Sequence, residues 1–173
     1  ELFPWSDVDL LLLVEKGVQA TGQREALQDF LRELWDTGLR LGHSVRTPLE
    51  CAEIHEGNLD LSISLLDRRL LIGASDFYTA FDAGQVRFFT ARKHDLRRGL
   101  AQALRARHGK FQNTVFHLEP NLKESPGGIR DLQTIRWLEL LASDTGHIPI
   151  ERDYPALAAA RDFFFSTRIL LHQ

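Results

Sequence analysis

The chain has 173 residues, 43% of them hydrophobic and 26% charged, with a formal net charge of −3 at pH 7. That length buries a real core in one domain, or in one domain with a helical appendage, and the charge excludes a bulk pull toward nucleic acid or anionic membrane while leaving a local basic site open. The single cysteine, Cys51, excludes an internal disulfide and fits a reducing, cytoplasmic setting, and no apolar run approaches the ~20 residues that cross a bilayer.

The chain opens on Glu1-Leu2-Phe3-Pro4-Trp5 and holds no methionine, and it closes on Arg168-Ile169-Leu170-Leu171-His172-Gln173, which has the pattern of an unfinished helix. It is expected to be part of something longer, truncated at both ends. Ser6-Asp7-Val8-Asp9 follows, leading into the apolar run Leu10–Val14. Val8–Val14 reads as a buried strand. Residues i and i+2 of a strand share a face, so Asp7 and Asp9 project side by side. Adjacent carboxylates repel unless a cation lies between them, and Mg²⁺ takes one or two carboxylates together with substrate phosphates. The pair therefore reads either as a metal site for phosphoryl or nucleotidyl transfer or as two solvated strand-start residues.

Glu15–Gly22 is a polar connection. From Gln23 the apolar residues Leu27, Phe30, Leu31, Leu34 and Trp35 follow a helical spacing that stops at Gly38. Leu39–Arg46 alternates as a second strand, so strand, helix and strand give a mixed α/β core. Thr47-Pro48 with Glu50 predicts a capped short helix. Asn58–Ile72 fits both periods, and its length favours a helix. Ser75-Asp76 caps a predicted helix through Phe81, and Thr90–His108 predicts a basic helix on Leu96, Leu100 and Leu104. Phe116–Ser125 reads as an extended loop, Pro126-Gly127-Gly128 as a turn, and Ile129–Ala142 and Tyr154–His172 as the last helices.

Further groups could carry chemistry. Lys123 to Asp131 places Gly127 and Gly128 before a helix, flanked by Lys123 and Arg130. It reads as an anion cradle at a helix N-terminus or as a plain loop-to-helix junction. Arg46 on the second strand reaches either a phosphate or a salt-bridge partner. His43 reads as a packed histidine ahead of a metal ligand or base, and Cys51 as a small buried residue rather than a nucleophile. The basic run Arg92, Lys93, Arg97, Arg98, Arg105, Arg107 and Lys110 is most simply a solvated helix face, with a nucleotide tail or an acidic partner as the other reading. Phe163, Phe164 and Phe165 cannot all face one side of a helix, so at least one is expected to meet another chain or domain.

Taken together, these motifs resemble the nucleotidyltransferase region of the bifunctional uridylyltransferase/uridylyl-removing enzymes that modify the PII nitrogen-signalling protein. The matching stretches are Glu1–Leu11, Leu34–Leu39, Gly42–Thr47 with Glu50-Cys51, Leu65–Gly73 and Leu118–Asp131, which run in order through nearly the whole chain. The resemblance implies an α/β polymerase β-like nucleotidyltransferase core with a small mixed sheet over residues 1–84. A helical extension over 85–173 would follow, carrying a nucleotide-site loop at 116–131. It implies transfer of UMP from UTP to a tyrosine of PII with Mg²⁺ and release of pyrophosphate, and regulation by glutamine through domains absent from this chain. Asp7 and Asp9 match the metal carboxylates; Ser6, Arg46, Lys123 and Arg130 are the nucleotide-binding candidates. Glu50 and Asp60 are the candidates for a third carboxylate, which related adenylyltransferases place near Ser44. In this superfamily a glycine-rich turn precedes the Asp-x-Asp strand, so the chain as given is expected to have little transferase activity by itself. Adenylyl transfer to glutamine synthetase and a non-catalytic interaction module of the same fold are the alternative readings.

Overall fold

A computed structural model of the chain describes residues 6–17, 23–53, 59–142 and 154–171. The expected opening Glu1–Trp5, the Gly22 end of the first connection, Asn58 and His172 lie outside the described residues. The fold is mixed α/β, mostly helical, and divides into two compact units at residues 53 and 54. The boundary expected at 84/85 falls inside a continuous helix.

The first unit is a strand–helix–strand arrangement. Strand β1 spans Val8–Leu13, helix α1 Gln23–Asp36 and strand β2 Leu41–Arg46. β1 and β2 pair in parallel, with Asp9 opposite Gly42, Leu11 opposite Ser44 and Leu13 opposite Arg46. A parallel pair needs a crossover, and α1 lies within that crossover. α1 buries Leu31, half-buries Leu27 and Leu34, and leaves Phe30 and Trp35 largely exposed. It ends as its sequence predicts: Gly38 takes a φ of +79°, open to glycine at no steric cost, and its N–H donates to Trp35 O at 3.0 Å.

The second strand begins two residues later than the alternation suggests, at Leu41. Helix α2, Pro48–Cys51, follows with the predicted capping box complete. Thr47 N and Thr47 Oγ1 donate to Glu50 Oε2 at 2.7 and 2.9 Å, and Glu50 N donates back to Thr47 Oγ1 at 3.3 Å.

The second unit is helical. Residues 59–72 are not one helix: α3 covers Leu59–Ser64, a 3₁₀ turn takes Leu65–Asp67, and the chain then runs out through exposed Leu70, Leu71 and Ile72. Leu70, Leu71 and Ile72, whose spacing continues the helical pattern, are thus not core residues, while Ile63 and Leu65 are. Helix α4 runs unbroken from Ser75 to Lys110, where the sequence suggested two helices. α5 spans Ile129–Ala142 and α6 Pro155–Leu171. α3 and α5 pack against α4, and the 3₁₀ turn against α3; Phe81, Phe88, Phe89, Leu96 and Leu100 of α4 are buried, as are Ile63, Leu65, Ile129, Trp137 and Leu141. Of the phenylalanine triplet in α6, Phe163 is exposed while Phe164 and Phe165 are half-buried.

Candidate functional site

Exposure alternates at the mouth of β1. Asp7 and Asp9 are exposed while Ser6, Val8 and Leu10 are partly buried. Alternation puts both carboxylates on one face, and the parallel register adds Gly42, Ser44 and Arg46 of β2 to that face. Val8, Leu10, Leu12, Leu41, His43 and Val45 take the other face. There the His43 ring meets Trp35 of α1 edge-on, with centroids 5.3 Å apart. His43 is therefore an aromatic neighbour of α1 and stands on the opposite side of the sheet from the aspartates.

Along the shared face, Ser44 and Arg46 lie about 7 and 13 Å beyond the level of Asp9, at the usual strand rise. Arg46 is thus no ion-pair partner of Asp9. Its guanidinium lies near α2, where its charge helps to lower the carboxyl pKa of Glu50 and opposes the rise in that of Cys51. Arg46 Nε is buried without a hydrogen-bond partner among the described residues, and so is Ser6 Oγ. Two buried polar atoms left open at the two ends of one short sheet are costly unless something else satisfies them.

The oxygen-only donors Asp7 and Asp9 suit a hard divalent cation that also takes phosphate oxygens, so the residues present fit Mg²⁺. Among the described residues no group of three His, Cys, Asp or Glu side chains has the arrangement of a metal site. Glu50 spends its carboxylate on the Thr47 cap, and the hydrogen bonds from the Thr47 backbone and hydroxyl hold its pKa below the usual carboxylate value. Asp60 lies in the first turn of α3 in the second unit. Cys51 is 1% exposed, and burial pushes its thiol up to about 11, against the lowering effect of Arg46. A thiol in that setting is no nucleophile at neutral pH.

The glycine segment of the second unit is closed upon itself. Gly127 N–H donates to Asp131 Oδ2 at 2.7 Å, Gly128 N–H to Ser125 O at 3.0 Å, Ile129 N–H to Leu122 O at 2.9 Å and Arg130 N–H to Lys123 O at 3.0 Å. Asn121 Oδ1 accepts from the N–H groups of Lys123 and Glu124. The donors that a phosphate cradle would offer are therefore engaged within the loop.

Asp131 also accepts from Arg107 Nη2 and pairs with His108 Nε2 at 3.0 Å, while Arg107 Nη1 donates to Glu124 O at 2.9 Å. Burial acts to raise the Asp131 pKa, but the hydrogen bonds from Arg107, Gly127 and His108, with the Arg107 charge, outweigh it and hold the carboxyl below its ordinary value. Arg107 is thus a half-buried clamp, unlike its exposed neighbours Arg97, Arg98 and Arg105 on the expected solvated face. Arg130 donates to Gln133 Oε1 at 2.8 Å, lies 3.7 Å from Glu124 and stands over the Trp137 ring at 5.8 Å, whereas Lys123 is exposed. In the sequence Asp131 stands out only as part of the glycine segment, and nothing in the basic run sets its partner Arg107 apart. The signal available was the Gly127–Asp131 spacing at the start of α5, which suits a carboxylate folding back on a loop N–H.

Residues 94–173 match the family model described as GlnD PII-uridylyltransferase. Curated relatives named bifunctional uridylyltransferase/uridylyl-removing enzyme align over nearly the whole chain. The protein of Methylococcus capsulatus is 36% identical over 188 residues and that of Stutzerimonas stutzeri 37% over 189, each covering 99% of this chain and 20% of the relative. The protein of Nitrosospira multiformis is 41% identical over 147 residues, covering 82% of this chain and 16% of the relative. The chain spans about a fifth of the length of these relatives. No solved structure gives a significant match.

Proposed function

Because the chain is related, along 99% of its length, to a segment of the bifunctional uridylyltransferase/uridylyl-removing enzymes, we propose that it carries the metal end of a nucleotidyltransferase centre. In the intact protein that centre transfers UMP from UTP to a tyrosine of a PII protein. The observation that supports this most directly is the pair of exposed carboxylates, Asp7 and Asp9, on one open face of a parallel strand–helix–strand unit.

In this reaction the phenol oxygen of tyrosine bonds to the α-phosphorus. The bond from that phosphorus to the bridging oxygen of pyrophosphate breaks, and the phenol proton is lost. Mg²⁺, when held by Asp7 and Asp9, supplies charge neutralisation for the phosphates and a polarised site for the attacking oxygen. Asp7 and Asp9 would hold the cation, and a carboxylate oxygen left free by it would accept the phenol proton. Arg46, lying farther along the same face, offers a guanidinium to a phosphate, and Ser6 offers a hydroxyl that has no partner among the described residues. Lys123 and Arg130 belong to the second unit, where Lys123 is exposed and Arg130 serves the fold of α5.

A calorimetric titration with UTP and Mg²⁺ tests this reading. The expected result is metal-dependent UTP binding that disappears when Asp7→Asn is combined with Asp9→Asn. A preference for ATP would favour adenylyl transfer. A specific observation favours one other reading: no third carboxylate joins the pair among the described residues, as in a module that kept the fold without the chemistry. Absence of nucleotide binding, repeated in a version extended upstream of Glu1, would support that module and sink the transferase.

A further inference from the structure

Gly42 stands inside β2, where glycine packs nothing and costs more backbone freedom than any other residue. Its φ is not positive, so the backbone there admits any residue. What a side chain would meet is Asp9, its partner in the strand register. A Cβ on Gly42 would lie 2.8 Å from Asp9 Oδ1, with Asp9 Cγ and Val8 O each at 3.9 Å. The Asp9 carboxylate therefore lies across the gap between the strands, over bare backbone of β2. Asp9 makes no hydrogen bond or ion pair among the described residues that would hold it there.

We infer that Gly42 is a positioning residue for Asp9: the missing Cβ leaves the space in which the Asp9 carboxylate lies toward β2, the strand that carries Ser44 and Arg46. A Cβ there would press on Oδ1 while Cγ stays at ordinary contact distance, so the carboxylate must turn away from β2, by rotation about its broad χ2 or by a change of χ1 well. The obstructed atom is the end of a short, exposed side chain, which can turn away without disturbing the sheet. Substitution at Gly42 is thus expected to act on the direction of Asp9 and to leave the fold intact. The consequence for metal binding rests on the reading of Asp7 and Asp9 given above; the rotamer does not.

The experiment compares Gly42→Ala, Ser44→Ala and Asp9→Asn in the full chain by two readouts. Three-bond couplings for χ1, with the carboxyl carbon shift for the carboxylate's surroundings, report the orientation of Asp9, and water-proton relaxation reports Mn²⁺ binding in the presence of UTP. In the unsubstituted chain Asp9 is expected to hold one χ1 well. Gly42→Ala is expected to turn the carboxylate, read as a changed χ1 or a changed carboxyl carbon shift, with the melting midpoint preserved, and to weaken Mn²⁺ binding about tenfold or more, as loss of a ligand-orienting neighbour does. Ser44→Ala, two residues along the same face, should leave the Asp9 χ1 unchanged. An Asp9 that averages over several wells from the start, or whose χ1 and carboxyl carbon shift both ignore Gly42→Ala, overturns the inference. If χ1 moves but Asp9→Asn leaves Mn²⁺ binding intact, Gly42 stands as the positioning residue and the metal reading falls. If Asp9→Asn abolishes Mn²⁺ binding and Gly42→Ala changes neither readout, the metal reading stands and the positioning role falls.

Discussion

The indole N–H of Trp137 donates to Asp67 Oδ2 at 2.7 Å, tying α5 to the 3₁₀ turn after α3. Trp137 is only 9% exposed, and Asp67 also pairs with Arg136 at 3.0 Å. The two ways of breaking this bond differ. Trp137→Phe removes the donor and leaves Asp67 its arginine and water, so a loss of about 1 kcal/mol for the bond is expected, plus the packing lost with the second ring. Asp67→Ala strands a buried N–H and releases Arg136 as well, with an expected cost of about 1–3 kcal/mol. Urea unfolding of Asp67→Ala and Asp67→Asn, which keeps an acceptor, separates the lost bond from the lost charge: Asn is expected to recover part of the difference.

Asp131 makes stability depend on acid. Its carboxyl is held below the ordinary value, so the folded chain binds fewer protons than the unfolded chain in the window between the two pKa values. Its contribution is therefore complete above the unfolded carboxyl value of about 3.9, and it is lost as pH falls through the lower folded value. Asp131→Asn is expected to cost on the order of 1–3 kcal/mol at pH 7, where charged hydrogen bonds are fully formed. The difference from the unsubstituted chain should shrink below about pH 4. Chemical denaturation between neutral and strongly acid pH measures this, and a gap that stays constant across that range would remove Asp131 as the acid-sensitive group.

Local chemistry carried much of this architecture in plain view. The Thr47–Glu50 cap, the Gly38 stop and the strand–helix–strand order follow from residues that leave few alternatives, whereas the expected mixed sheet is a two-stranded parallel pair. The failures have physical causes. α4 reads as two helices because Gly84 and Gln85 interrupt the apolar pattern, yet Gln85 is 1% exposed inside the core and the helix runs through both. Propensity was overridden there by packing on both sides of the interruption. The glycine pair at 127–128 was ambiguous because an anion cradle and a self-closed turn need the same residue type. Only the destination of each N–H separates them, and that depends on Asp131 and on Arg107, a residue 24 positions earlier. The aspartate pair was legible from alternation alone. The need for Gly42 was not, because it arises from a cross-strand register that no local pattern states.

Cys51 offers a test of burial in the first unit. At 1% exposure, with a thiol pushed up to about 11 by desolvation, it carries almost no thiolate at pH 8 in the folded chain. Its reaction with an aromatic disulfide reagent is expected to be slow at pH 8 and to rise to the free-thiol rate in denaturant. The rate should follow opening of the α2 region. Fast labelling of the native chain at pH 8 would mean that Cys51 is accessible and the packing around it looser than described.

Gly128 and Gly84 are expected to respond to alanine in opposite directions. A Cβ at Gly128 would lie 2.7 Å from Leu122 O and 3.0 Å from Ser125 O. Both are backbone atoms already fixed, since Leu122 O accepts from Ile129 N–H and Ser125 O from Gly128 N–H. Neither can rotate aside as a side chain would, so Gly128→Ala must open the loop that holds Asp131 and Arg107 in place. A loss of about 2 kcal/mol or more is expected, in the range of a broken buried network. Gly84, inside α4, has nothing within 4 Å of an added Cβ. Alanine there removes unfolded-state freedom and adds helix propensity, for an expected gain of about 0.5–1 kcal/mol. Thermal melts of the two variants beside the unsubstituted chain should therefore bracket it, Gly84→Ala above and Gly128→Ala below. Equal midpoints for the two variants would show that the loop before α5 yields to a methyl group, and that its closure upon Asp131 is not what holds it.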